Sequence, residues 1–212
     1  MGRERWDKFL TGYFDTYAFR SISTEGFLEY LDTEMGPVDS LTAEQWNVNG
    51  WVYSPGLPDR LPQFESPVLE IIGQLAAAFS AGQPAGQIDT TGWTAHHWLR
   101  FLRQLPDDVG RERMADLDRR FQLTQTGNSE ILFDWLRLSI LNQYAVAYPV
   151  LEQFLTSVGR LKFLIPLYIA MQDTPEDRDR AARIYATARS GYHSLAWKTL
   201  DPIIGYEEGG TD

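Results

Sequence analysis

"TPEDRDRAARIYATARS", residues 174–190, begins with the features that start a helix. Thr174 offers a hydroxyl to an exposed backbone N–H, and Pro175 stands where no N–H is needed. Glu176 and Asp177 then place negative charge at the positive end of the helix dipole. The spacing predicts a helix over 175–190. Apolar residues recur at helical spacing in segment after segment on either side of it. Helices are expected near 94–105, 110–122, 128–142, 145–158 and 163–172, with a last short one near 194–200. Ser66-Pro67 has the form of an N-cap followed by a proline in the first helical position, opening a helix to about Ser80. Phe9, Tyr13 and Tyr17, then Phe27, Leu28 and Leu31, mark two opening helices around a break at Ser21–Thr24. Thr42 followed by Gln45 has the capping-box pattern and predicts a short helix there. Strand-like alternation is scarce, so the fold class is all-α.

Two stretches interrupt this pattern. "GWVYSPGLPDRLPQFES", residues 50–66, holds three prolines and two glycines and is expected to be an irregular connector. "AGQPAGQIDTTG", residues 81–92, reads as a second loop. Helices of this length joined by short turns can stack as antiparallel pairs in a curved α-solenoid. No clean internal repeat is visible, and a compact irregular bundle satisfies the same periodicity.

Composition narrows the functional classes. The 212 residues are enough for one domain or slightly more, and 43% hydrophobic and 13% aromatic content, with seven Trp, describes a packed globular body. There is no cysteine, which excludes disulfides and thiolate metal sites and fits a reducing compartment; a cytoplasmic location is the expectation. The charged opening "MGRERWDKFL" predicts no signal peptide, and no apolar run is long enough to span a membrane. Lys plus Arg number 19 against 29 Asp plus Glu, a net charge of −10, which repels nucleic acid and anionic lipid unless basic groups cluster. The densest arginine region, Arg100 to Arg120, is interleaved with Asp107, Asp108, Glu112, Asp116 and Asp118 and reads as a solvated helix face. Neither nucleic acid nor a membrane is an expected partner.

Catalytic motifs are missing. His96 and His97 are adjacent and point about 100° apart on a helix, so they do not share a metal, and His193 lies far away. There is no glycine-rich phosphate loop and no G-x-S-x-G elbow. Glu207 and Glu208 belong to the polar tail "EEGGTD" and read as terminal solvation. No catalytic residue and no metal ligand is assigned to this chain.

One element stands out. "GRLKFLIPLY", residues 159–168, sets Arg160 and Lys162 one residue apart, after a glycine and before an apolar run. Gly159 suits the end of one helix, and Pro166 belongs in the first turn of the next. The residues between are extended or just entering a helix. Either way, two long cations project near an uncapped helix N-terminus, whose free N–H groups also attract anions. The element reads as a carboxylate or phosphate receptor; the alternative is a pair of surface cations bridging to nearby acids.

"WVYSPGLP" at 51–58, "NSEILFDWLRL" at 128–138 and "GRLKFLIPLY" together resemble, in order and separation, the C-terminal domain of leukotriene A4 hydrolase-like M1 family zinc aminopeptidases. The opening Phe9–Leu31 is similar to the last helices of that family's catalytic domain. The resemblance runs from about residue 5 to 204. It implies an α-α superhelix, an ARM/HEAT-like solenoid of antiparallel helix pairs, packed against a catalytic metallopeptidase domain in cis or in trans. The implied boundaries are residues 1–36 for the last catalytic-domain helices, 37–66 for the connector, 67–205 for the superhelical domain and 206–212 for the polar tail.

In that family an arginine and a lysine of a "GR-x-KF" element bind the free carboxylate of a substrate, and Arg160 and Lys162 match those positions. Zinc belongs to the intact enzyme. This chain lacks H-E-x-x-H, so alone it is expected to be inactive, with a peptide as the substrate of the whole enzyme. Ile165 departs from the pattern, since the residue before the proline is often basic. Pro55, Gly56 and Pro58 are implied to stiffen the connector, while Trp135, Leu136 and Leu138 fill helix contacts. The alternative is a stand-alone α-solenoid interaction module without catalytic activity.

Overall fold

The computed structural model describes residues 2–36, 47–57, 61 and 65–207, and within them the chain is helical, with no strand. It divides into two compact units, Met1–Phe64 and Glu65–Asp212. The capping pattern at Thr42 and Gln45, Pro58 and Glu208 lie outside the described residues.

The first unit contains α1 (Arg3–Thr16), α2 (Thr24–Met35) and the short α3 (Val48–Tyr53). Ser23 caps α2 by accepting the Gly26 N–H at 3.2 Å, which places the break where the sequence expected it. Aromatic side chains hold α1 to α2: the Tyr13 ring lies 5.4 Å from Phe27 and 5.7 Å from Tyr30, and Phe9 lies 5.4 Å from Tyr30. Among the described residues of this unit only Phe9 and Met35 are buried, while Phe14, Phe19, Trp51, Tyr53 and Leu57 are exposed. The helix α3 extends into the stretch expected to be irregular, with bends beginning at Ser54.

The second unit holds α4 (Pro67–Ser80), α5 (Ala95–Gln104), α6 (Arg111–Phe121), α7 (Ser129–Leu141), α8 (Tyr148–Ser157), α9 (Leu161–Ala170), α10 (Pro175–Ala188) and α11 (Ser194–Ile204). Packing skips along the chain: α5 lies against α4 and α7, α7 against α9, and α9 against α11, while α8 lies against α10. Alternate helices therefore form one layer, and α8 with α10 forms another. Among the helices runs a continuous core that includes Phe79, Phe101, Trp135, Phe163, Tyr168 and Tyr185, all buried. Trp135, Leu136 and Leu138 fill helix contacts as expected.

Local chemistry explains the boundaries. Asp177 N–H donates to Thr174 Oγ1 at 3.2 Å, so the cap that opens α10 forms as the sequence dictates. Asp177 is itself buried and also accepts from Gln143 Nε2 at 2.6 Å, tying the cap to the turn after α7. Arg113 of α6 reaches the C-terminal end of α4, donating to the carbonyls of Phe79 and of Gln83 (2.7 Å), with its guanidinium 3.7 Å from the Phe79 ring centroid. A cation there meets the negative end of the α4 dipole. Trp135 Nε1 donates to Thr124 Oγ1 at 2.9 Å, and that hydroxyl donates to Asp118 at 2.6 Å. The buried indole thus has its partner, as a buried polar group must.

Several boundaries differ from the sequence reading. The loop at 81–92 contains a one-turn 3-10 helix, Ala85–Gln87, because Ala85 and Ile88 are buried and Asp116 accepts the Ala85 N–H at 2.8 Å. Residues 145–147 form a separate 3-10 turn before α8. The helix α11 runs past Leu200 to Ile204 with Pro202 inside it.

Trp135→Ala should destabilise the chain by about 3–5 kcal/mol, from lost packing and a cavity. Thr174→Ala should cost about 1 kcal/mol through the lost cap. Urea unfolding followed by circular dichroism at 222 nm measures both, and the order of the two effects is the expectation under test.

Candidate functional site

Arg160 is the N-cap of α9, with extended backbone (φ −79°, ψ 117°), and Lys162 is the second residue of that helix. The two alternatives read from the sequence are therefore both realised, one at each cation. No side chain caps α9. Pro166 is a correction: it lies in the interior of the ten-residue helix, sixth from its start, instead of in the first turn. Because Pro166 has no N–H, the Lys162 carbonyl lacks its usual donor four residues on. Gly159 follows the end of α8 without adopting a left-handed conformation.

Side chains two apart would diverge if both residues were fully helical. Here the extended conformation at Arg160 lets both cations turn to one point. The Lys162 ammonium donates to Glu130 Oε1, and Arg160 Nη1 lies 3.8 Å from the same oxygen. Glu130 is the second residue of α7, and its own N–H donates to Asn128 Oδ1 at 3.0 Å. Beneath the charges lies Phe163, buried, its ring centroid 4.7 Å from Lys162 Nζ and 5.4 Å from the Arg160 guanidinium carbon. Phe133 and Phe154 hold that ring at 5.2 and 5.6 Å. An aromatic face below two cations adds electrostatic attraction and keeps water from one side. Side-chain exposure is 66% for Arg160, 46% for Lys162 and 35% for Glu130, so all three remain reachable.

The charges continue along α7. Asp134, one turn after Glu130, accepts from Arg103 Nε of α5 at 2.7 Å, and Arg137 donates to Asp107 at 3.0 Å. Glu130, Asp134 and Arg137 are spaced i, i+4 and i+7, which places them on one stripe of the helix. The Lys162 hydrogen bond holds the Glu130 carboxyl below its ordinary range, against a smaller opposing effect of burial. Asp134 is shifted the other way: burial raises its carboxyl, and the Arg103 charge only partly offsets that.

Sequence reasoning found the two cations and missed Glu130, although that residue lies inside the quoted "NSEILFDWLRL". The only local signal is an acid in the first turn of α7; the pairing itself spans 32 residues. Two of the three histidines cap helix starts. His97 Nδ1 accepts the Thr94 N–H at 3.1 Å at the start of α5, and His193 Nδ1 accepts the Leu195 N–H at 3.2 Å at the start of α11. Among the described residues, no group of three or more His, Cys, Asp or Glu could hold a metal ion, and no helix is long and apolar enough to cross a membrane.

These features define an all-helical domain with a cationic element at the start of one helix. Residues 93–204, more than half of the chain, match the family described as leukotriene A4 hydrolase, C-terminal, and the chain belongs to that family. Leucine aminopeptidase 2 of Pyricularia oryzae is 27% identical, over 98% of this chain and 35% of its own length. Leucine aminopeptidase 2 of Ajellomyces capsulatus is also 27% identical, over 92% of this chain and 32% of its own. Among solved structures, native yeast LTA4 hydrolase superposes with a TM-score of 0.80 at 22% identity, covering 97% of this chain and 36% of that one. The chain thus spans about a third of the length of these relatives.

The opposite shifts of the two acids have opposite consequences for stability. Glu130, more acidic when folded, stabilises the fold above the ordinary glutamate range, and that contribution disappears as pH falls through its folded value. Asp134, less acidic when folded, favours the fold below the ordinary aspartate range, and that contribution disappears as pH rises through its folded value. Lys162→Met should move the Glu130 titration upward toward the ordinary range, and Arg103→Met should raise Asp134 further. Carboxyl carbon NMR across pH 2–7 reads both.

Proposed function

We propose that this chain is the C-terminal helical domain of an M1 zinc aminopeptidase, with Arg160 and Lys162 holding the free carboxylate of a peptide substrate. The observation that carries the reading is the convergence of both head groups on one carboxylate oxygen, above a buried aromatic ring and beside an uncapped helix start. That arrangement already holds a carboxylate, supplied by Glu130, and it is open enough to meet another. Charge-assisted bonds from two cations fix an anion in position as well as binding it. Holding the carboxylate end of a short peptide orients its other end for cleavage by the rest of the enzyme.

On this reading residues 1–36 are the last helices of the catalytic domain, 37–66 the connector, 67–205 the α-α superhelix and 206–212 a polar tail. The exposed Phe14, Phe19, Trp51, Tyr53 and Leu57 of the first unit fit a surface that further protein covers. The relatives' greater length supplies room for such a catalytic domain, in cis or in trans. The zinc and its chemistry belong there: the described residues of this chain do not fit a metal site, and no step of the reaction is assigned to them. A cytoplasmic location goes with this reading and with the absence of cysteine.

Removing one charged hydrogen-bond donor is worth about 1.5–3 kcal/mol, so Arg160→Met in the enzyme containing its catalytic domain should lower kcat/KM about ten- to a hundredfold for peptides with a free carboxylate. Peptides ending in an amide should be cleaved almost as before. Equal losses on both would refute the carboxylate role. The purified 212-residue chain should contain no stoichiometric zinc and show no aminopeptidase turnover; clear activity would overturn the division of labour.

A further inference from the structure

The cation pair is not empty-handed: the position a substrate carboxylate would take is held by Glu130. Its Oε1 receives the Lys162 ammonium and lies 3.8 Å from Arg160 Nη1. We infer that Glu130 is a built-in competitor, an internal carboxylate that occupies the receptor and is exchanged for the substrate's carboxylate on binding. The inference rests on the receptor reading above.

Three features make the exchange inexpensive. The Glu130 backbone is anchored independently, by its N–H to Asn128 Oδ1 at 3.0 Å, so exchange needs a side-chain rotation and no movement of α7. The displaced carboxylate stays in the first turn of α7, where the helix dipole favours negative charge. The neighbouring acid Asp134 is already engaged by Arg103 at 2.7 Å and does not claim the released cations. The exchange also has a selective consequence. With Glu130 in place the unoccupied receptor carries one net positive charge, so weak or poorly placed anions gain little, while a carboxylate that reaches both cations replaces the bond it breaks.

The test uses the 212-residue chain and two probes, N-acetyl-trialanine with a free C-terminus and the same peptide as its amide. Binding is followed through the Arg160 Nε–H and Lys162 Cε resonances. Glu130→Gln removes the charge with the least change in shape and should tighten the free-acid probe at least about fivefold, leaving the amide unchanged. Glu130→Asp keeps an acid in the first turn but shortens its reach, and should fall between wild type and Glu130→Gln. Amide spectra of each variant confirm that it is folded. If Arg160→Met weakens free-acid binding while Glu130→Gln leaves it unchanged or weaker, the competitor role is overturned and the receptor stands. If neither wild type nor Glu130→Gln distinguishes acid from amide, both are overturned.

Discussion

The helix α7 is surrounded, and that constraint shapes the second unit. From Glu130 to Leu141 no residue is fully exposed, with α5 and α9 packed on it from one layer and α8 from the other. The charges along its accessible stripe each meet one of opposite sign on a neighbouring element. Glu130 finds Lys162 of α9, Asp134 finds Arg103 of α5, and Arg137 finds Asp107 in the loop after α5. The placement of the cationic element follows from this: α9 packs beside α7 through Phe163 and Phe133, and that contact sets Arg160 and Lys162 against the first turn of α7. The site is therefore a consequence of how the core closes.

What the sequence shows and what it hides divide along the distance over which each interaction acts. Caps and periodicity are local. The α10 start at Thr174–Asp177 can be read from four residues because the whole interaction lies within one turn, and the all-α class follows from many such readings. The convergence on Glu130 joins residues 32 apart, and no pattern in either segment announces it. The misplaced boundary at Pro166 is intermediate. A proline is normally a first-turn signal, yet here the apolar run Phe163, Leu164 and Leu167 is buried with Tyr168, and that burial carries the helix through the missing hydrogen bond. Tertiary packing likewise gives part of an apparent loop a helical turn at Ala85–Gln87, anchored by buried Ala85 and Ile88.

The two units contribute differently. Glu65–Asp212 has a large core of buried rings and aliphatic side chains drawn from helix after helix. Met1–Phe64 relies on a pair of helices joined by aromatic contacts, with two buried hydrophobic residues among those described. A pair of helices of that kind buries too little apolar area to offset its ordering entropy with a wide margin. The relatives it matches are about three times as long.

Ile165 leaves the cationic element with two positive side chains instead of three. The family resemblance leads one to expect a basic residue before the proline, and a third cation there would leave the element with two net positive charges after Glu130 is counted. Ile165 is instead partly buried against the core, three residues beyond Lys162. Arg160, Lys162 and Glu130 therefore sum to a single positive charge, which one carboxylate neutralises. A phosphate, carrying nearly two negative charges at neutral pH, would leave the site with uncompensated negative charge on a chain whose net charge is already −10. On the receptor reading proposed above, that single net charge matches one carboxylate.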